Sequence, residues 1–197
     1  MVALMYNEIH FKELPSTNDY AKEHIKEFDR EAITLITAEG QTKGHGQHGR
    51  AWHSPAKKNL YASFVFFLPR TQKDLSHLAQ LLSFSCAIVV KSLGLTPKLK
   101  HPNDLLVDGK KLAGALVEMI TTSDSISVIA GIGLNVNMEQ TACDLIDQPA
   151  TSLLLLTNKL TPLEEIKTLL KGEFAQNLER FKEEGFAPFR SAYQEMV

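Results

Sequence analysis

The sequence predicts an α+β fold, and three observations carry that expectation. Asp108-Gly109 lies between the apolar runs 105–107 and 110–120, and an Asp-Gly pair in that setting marks a tight β-hairpin. Two long segments, 74–93 and 163–184, repeat apolar residues at three- and four-residue steps, the period of an amphipathic helix. The strands fall in neighbouring runs mixed with helices, without strict β-α-β alternation.

Each element has its own signal. Residues 4–12 (Leu4, Tyr6, Ile9, Phe11) read as a first strand ended by Leu14-Pro15. Ser16 can cap a helix, with Asp19 three residues on, and Tyr20, Ala21, His24, Ile25 and Phe28 extend that helix to about residue 28. Residues 32–38 form a β-branched run that reads as a buried strand, and 60–68 as a second strand whose Leu60, Ala62, Phe64, Phe66 and Leu68 share one apolar face. Gly94 is placed to stop the 74–93 helix. Lys98–His101 should be a strand edge, and 125–135 a strand carrying Gly131 and Gly133, where glycine marks a bulge or a close approach of backbone. After a polar loop at 137–149, residues 151–156 suggest a short helix. Thr161-Pro162 then starts the long helix with a Thr cap and Pro at its first position, and Gly185 ends it. A last helix covers 188–195.

Composition bounds the function. The 197 residues suit one domain, and 44% hydrophobic with 22% charged residues is ordinary for a globular chain. A net charge of −2 argues against bulk nucleic-acid binding. Cys86 and Cys143 form no CxxC or Cys/His cluster, which excludes a disulfide framework and leaves no direct protein cluster for a metal. There is no signal peptide and no apolar run of the ~18 residues a membrane span needs, so the chain reads as cytoplasmic.

The stretch 39–59, EGQTKGHGQHGRAWHSPAKKN, has no apolar period and reads as neither helix nor strand. It interleaves Gly44, Gly46 and Gly49 with His45, His48, His53 and the only tryptophan, Trp52. Glycines admit close backbone approach and N–H nests bind anions, so this basic loop can hold a phosphate and a flat ring, although solvated linkers share its composition. Three further clusters sit at element ends: Ser16-Thr17-Asn18, for which capping alone is the simpler account; Lys100-His101-Pro102-Asn103-Asp104 with Lys111; and 131–135. Lys100 and Lys111 could meet across the hairpin. Fixed cations beside a glycine nest suit a reaction that brings a carboxylate against a phosphate.

The motifs STN, Gln41 followed by GHGQHGRAW, NLYASF, KHPNDL, KKLAGALVE and GIGLNVN stand in the order and spacing of bacterial biotin–protein ligases, which the chain resembles from Ser16 to Tyr193. The resemblance implies a mixed, largely antiparallel sheet with helices packed on it, of the class II aminoacyl-tRNA synthetase-like kind. It implies that ATP, with Mg²⁺, converts biotin to biotinyl-AMP, and that biotin passes to a lysine of a biotin carboxyl carrier protein, an acetyl-CoA carboxylase subunit. By the same resemblance Ser16, Thr17, Asn18, Gln41 and Gly44 line the biotin pocket, and His45, Gly46, Gln47 and Arg50 wrap the acyl phosphate. Trp52 stacks on adenine. Lys111, with Arg50 and Lys100, serves the reacting centre, beside Asn103 and Asp104 at the ATP. Gly114, Gly131 and Gly133 let backbone pack on biotin, and Asn135 faces adenine or ribose.

Two departures stand out. The family loop is GRGRxGRxW, so His45 and Gln47 replace arginines that can clamp phosphate in a fork. An imidazole carries charge part of the time near neutral pH, and His45 can supply some of what is missing. KWPND has become KHPND. The expected organisation is a single catalytic domain over 1–197, without the N-terminal winged helix or C-terminal β-barrel of many relatives, hence no DNA partner. The family contains both monomers and homodimers. Competing readings are a lipoate or octanoate ligase or transferase of the same fold, and a non-catalytic biotin-binding module.

Overall fold

The computed structural model describes residues 5–197. Leu4, placed in the first strand by its sequence, lies outside them. Seven strands form one sheet in the order β1-β2-β3-β7-β6-β5-β4. These are β1 (Tyr6–Leu14), β2 (Ile33–Gln41), β3 (Leu60–Pro69), β4 (Lys98–Lys100), β5 (Asp104–Val107), β6 (Lys110–Thr121) and β7 (Ser125–Leu134). Only β1 and β2 run parallel, and every other neighbouring pair is antiparallel. The α+β expectation holds. The β5–β6 turn is the hairpin its sequence encodes, with Asp108 and Gly109 at φ 51° and 75°.

The two faces of the sheet have different tasks. Leu60, Ala62, Phe64, Phe66 and Leu68 face the main core with Ile33, Leu35, Leu112 and Val128. Helices α2 (Leu78–Ser92) and α5 (Leu163–Glu184) cover that face, giving it Leu81, Leu82, Cys86, Phe174 and Phe181. Burial pushes the Cys86 thiol up to about 12, which removes it from chemistry. The other face carries a smaller cluster of Ala21, Ile36, Val65 and Ile129 under α1 (Thr17–Glu23). Beyond α1 this face stays open, and the site lies there. Short helices α3 (Gln140–Cys143), α4 (Leu153–Thr157) and α6 (Arg190–Gln194) complete the chain.

Several sequence expectations need correction. Helix α1 stops at Glu23 instead of residue 28, and Ile25 and Phe28 pack from the turn that follows it. Residues 39–41 belong to β2, not to the glycine loop. The 74–93 helix opens with a 3-10 turn, Leu75–His77, after Asp74 at φ 61°. Thr161 does not cap α5: Pro162 occupies the cap, and the Thr161 N–H instead donates to Asn137 Oδ1 at 3.0 Å. Residues 75–92 have a mean hydropathy of 1.3, long and apolar enough to cross a membrane. Here that segment packs on the sheet beside α5, where its apolar side chains are core.

Candidate active site

The open face of the sheet holds a cleft of about 530 Å³, walled by the start of α1, the glycine loop, the β4–β5 turn and the faces of β6 and β7. Polar groups at the α1 end are already committed to one another. Ser16 Oγ caps the helix by accepting from the Asp19 N–H at 3.3 Å. Gln41 Oε1 accepts from the Thr17 N–H at 2.9 Å and from Thr17 Oγ1 at 3.2 Å, while its Nε2 donates to Ser54 Oγ. Asn18 Oδ1 accepts from Ser63 Oγ at 2.6 Å, and Asn18 Nδ2 faces Leu116 O and Glu118 Oε2 at 3.3 and 3.2 Å. Lys22 holds the other Glu118 oxygen at 3.1 Å, and that contact raises the lysine's pKa above its usual value.

The glycine loop is folded back on itself. Gly44 O accepts from Trp52 N and Arg50 O from Gly46 N, both at 2.8 Å, which closes residues 44–52 into a short hairpin. Its tip is a 3-10 turn, Gln47–Gly49, with His48 at φ 57° and Gly49 at φ 70°. The Lys43 N–H donates to Pro15 O at 2.9 Å, anchoring the loop beside α1. His45 Nε2 lies 3.7 Å from Asp19 Oδ1, so a charged imidazole has a partner there. Arg50 is exposed and free to turn toward an anion. Tyr61 OH donates to Pro55 O at 3.0 Å at the loop's far end, and burial holds that phenol in its neutral form.

Lys111 is the centre of the opposite wall. Its Nζ lies 2.7 Å from Asp104 Oδ1 and 5.2 Å from the centre of the Trp52 ring. Its backbone is held as firmly: the Lys111 N–H donates to Pro149 O at 2.8 Å and Lys111 O accepts from Thr151 N at 2.9 Å. Asn103 Nδ2 donates to Ala115 O and Asn103 O accepts from Ala115 N, which fixes the β4–β5 turn against β6 after the cis His101-Pro102 bond. Lys100 lies across from Asp104 in the strand register and lines the same cleft.

The cleft thus gathers Ser16, Thr17, Asn18, Gln41, His45, Gly46, Gln47, Arg50, Trp52, Lys100, Asn103, Asp104, Lys111, Gly114, Gly131 and Gly133. Two expected members do not line it. Gly44 is buried against Gln41 and Ser54, where a Cβ would come within 2.8 and 2.5 Å of side-chain atoms. Asn135 is buried beneath the floor, donating to Thr151 O at 3.0 Å and accepting from Asn59 Nδ2 at 3.3 Å. The glycines also admit side chains of the protein itself. A Cβ on Gly131 would lie 2.2 Å from Asn18 Oδ1, and one on Gly133 would lie 2.4 Å from the Trp52 ring, which also covers Gly114. Trp52 therefore rests on the glycine floor, with its Nε1 as the one buried side-chain N or O atom without a partner among the described residues. His48, His101, Leu116, Ile132 and Gln148 also line the cleft; nothing in the sequence singled out Gln148.

Among the described residues no group of three His, Cys, Asp or Glu could hold a metal. Asp104 is the cleft's one acidic residue, and Lys111 already engages it.

Comparison with known proteins places this geometry. Residues 10–135 match the model of the biotin/lipoate A/B protein ligase family. The bifunctional ligase/repressor BirA of Escherichia coli is 31% identical over 185 residues, covering 93% of this chain and 57% of its own length. The biotin–[acetyl-CoA-carboxylase] ligase of Paracoccus denitrificans is 30% identical over 168 residues, covering 80% of this chain and 68% of its own. The biotin protein ligase from Aquifex aeolicus in complex with biotin and ATP superposes with a TM-score of 0.81 at 31% identity, over 97% of this chain and 78% of that one. The chain spans little more than half the length of BirA. With its fold, motif order and cleft alike, the chain belongs to the biotin/lipoate A/B protein ligase family.

Proposed function

We propose that this protein activates biotin with ATP to biotinyl-5'-AMP and transfers the biotinyl group to a lysine of a biotin carboxyl carrier domain. One observation carries the reading: Asp104 holds Lys111 in the same cleft that Ser16–Asn18 and the basic loop line, 5.2 Å from the Trp52 ring, where a biotin carboxylate would meet the α-phosphate. In the first step a carboxylate oxygen bonds to the α-phosphorus and the bond to pyrophosphate breaks. Two anions must approach; Lys111 supplies a positioned positive charge that offsets their repulsion, and the exposed Lys100 and Arg50 can swing in to add to it. In the second step the acceptor amine attacks the acyl carbon and AMP departs as the leaving group.

Mg²⁺, if bound with the nucleotide, would supply positive charge at the phosphates, with Asp104 as the cleft carboxylate within its reach. The single carboxylate Asp104 fits such a shared ion and not a protein cage. Use of ATP and two buried free cysteines suit a cytoplasmic setting.

The test is mass spectrometry of a purified carrier domain after incubation with the protein, ATP, Mg²⁺ and biotin, together with biotin-dependent ATP–pyrophosphate exchange. A carrier heavier by one biotinyl group is the expected result. Exchange driven by lipoate alone would overturn the assignment.

A further inference from the structure

Glu118 lies outside every motif role assigned so far, yet it touches the cleft through Asn18. It sits on β6, two and four residues beyond Leu116 and Gly114 and on the same face of the sheet. Its Oε2 is 3.2 Å from Asn18 Nδ2 and its Oε1 is 3.1 Å from Lys22 Nζ. An ionised carboxylate only accepts hydrogen bonds, and so does the Leu116 carbonyl that shares Asn18 Nδ2. Together they admit only the NH₂ end of the carboxamide. The oxygen end must then face Ser63 and Gly131. Ser63 Oγ uses one lone pair of Oδ1, and the other remains for a donor on a ligand.

We propose that Glu118 is a positioning residue that sets ligand specificity: it fixes Asn18 with Oδ1 as an acceptor, so that the cleft takes a ring bearing an N–H group, such as a cyclic urea, over a ring with none. Lys22 holds Glu118 in place. This rests on the biotin reading above. A purely structural role predicts a different pattern, because Glu118 and Lys22 are 26% and 54% exposed and such an ion pair adds little to stability.

The test is calorimetric titration of the full chain with biotin and with lipoic acid, which shares the carboxylate tail but carries no ring N–H. Glu118→Ala should weaken biotin binding about tenfold, leave lipoic acid unchanged and barely move the melting temperature. Glu118→Asp keeps the charge but is too short to reach Asn18, and it should show the same loss. Adding Glu118→Ala to Asn18→Ala should cost no further affinity, since both act through one amide. A wild-type protein that fails to bind biotin overturns the functional reading and the proposal with it. Wild-type binding of biotin with both Glu118 variants within about twofold of it, or an additive double mutant, overturns the proposal alone.

Discussion

Lys111 Nζ and Asp104 Oδ1 form a 2.7 Å ion pair across the β5–β6 hairpin, with side chains only 15% and 18% exposed. The pair keeps the cleft's central cation ordered before any substrate arrives. Lys111→Met removes the charge where the carboxylate and phosphate converge, and should lower biotinyl-adenylate formation about 10²–10³-fold. Asp104→Ala keeps the cation but frees its position, and a drop of about tenfold is expected. Pyrophosphate exchange measures both.

Trp52 and Gly133 make the second sensitive contact. A Cβ at Gly133 would sit 2.4 Å from the indole, so Gly133→Ala must expel the ring from the floor. Trp52 is the only tryptophan, which makes its emission a direct reporter. Gly133→Ala should shift that emission to longer wavelength and destabilise the fold by about 1–3 kcal/mol.

Asn135 separates motif from role. It ties Asn59 to Thr151 beneath the cleft. Asn135→Ala should cost about 1–3 kcal/mol in chemical denaturation by stranding these groups, with the KM for ATP unchanged. A raised KM at unchanged stability would instead show the adenine contact that the family resemblance implies.

The loop chemistry can be restored. His45→Arg with Gln47→Arg returns two permanent charges beside Arg50, and His45 already lies 3.7 Å from Asp19. Release of biotinyl-AMP should slow by about tenfold, one charge-assisted hydrogen bond's worth, as read by stopped-flow displacement.

Acid stability should depend on Glu8. Hydrogen bonds from Lys171 and Lys167 on α5 hold its carboxyl below the ordinary value. The native state then binds fewer protons than the unfolded chain between the two pKa values. The stabilisation is fully present above the unfolded carboxylate pKa and is lost as pH falls through the lower folded value. Glu8 is 38% exposed, so the screened contribution is about 0.5–1 kcal/mol. Glu8→Gln should lower the melting temperature slightly at pH 7 and make no difference near pH 2.

Much of this fold is written in local pattern. The Asp108-Gly109 turn, the alternation of 60–68 and the glycine stop at Gly94 each need only their neighbours. Features that depend on distant partners were not legible. Residues 24–28 carry a helical pattern, yet Ile25 and Phe28 reach the Ile36–Val65 cluster from a turn. Glycines in β6 and β7 announced a close approach, but only the fold shows that Trp52 and Asn18 make it. Thr161 looked like a cap because nothing in sequence reveals Asn137 opposite it. Glu118 ends the KKLAGALVE motif but acquires a partner only through the sheet, where it meets Asn18, and Gln148 sits near no cluster in the chain.

The attachment of Lys111 to residues 149–151 has a mechanical consequence. Both its N–H and its carbonyl are bonded to that segment, in a parallel bridge centred on Ala150. The segment bearing Gln148 and the strand bearing the lysine are therefore tied together through their backbones. A partner that pulled on residues 137–150 would tug the ammonium with it, and a deletion within residues 137–147 would misplace Lys111 without altering any residue of the cleft's own walls.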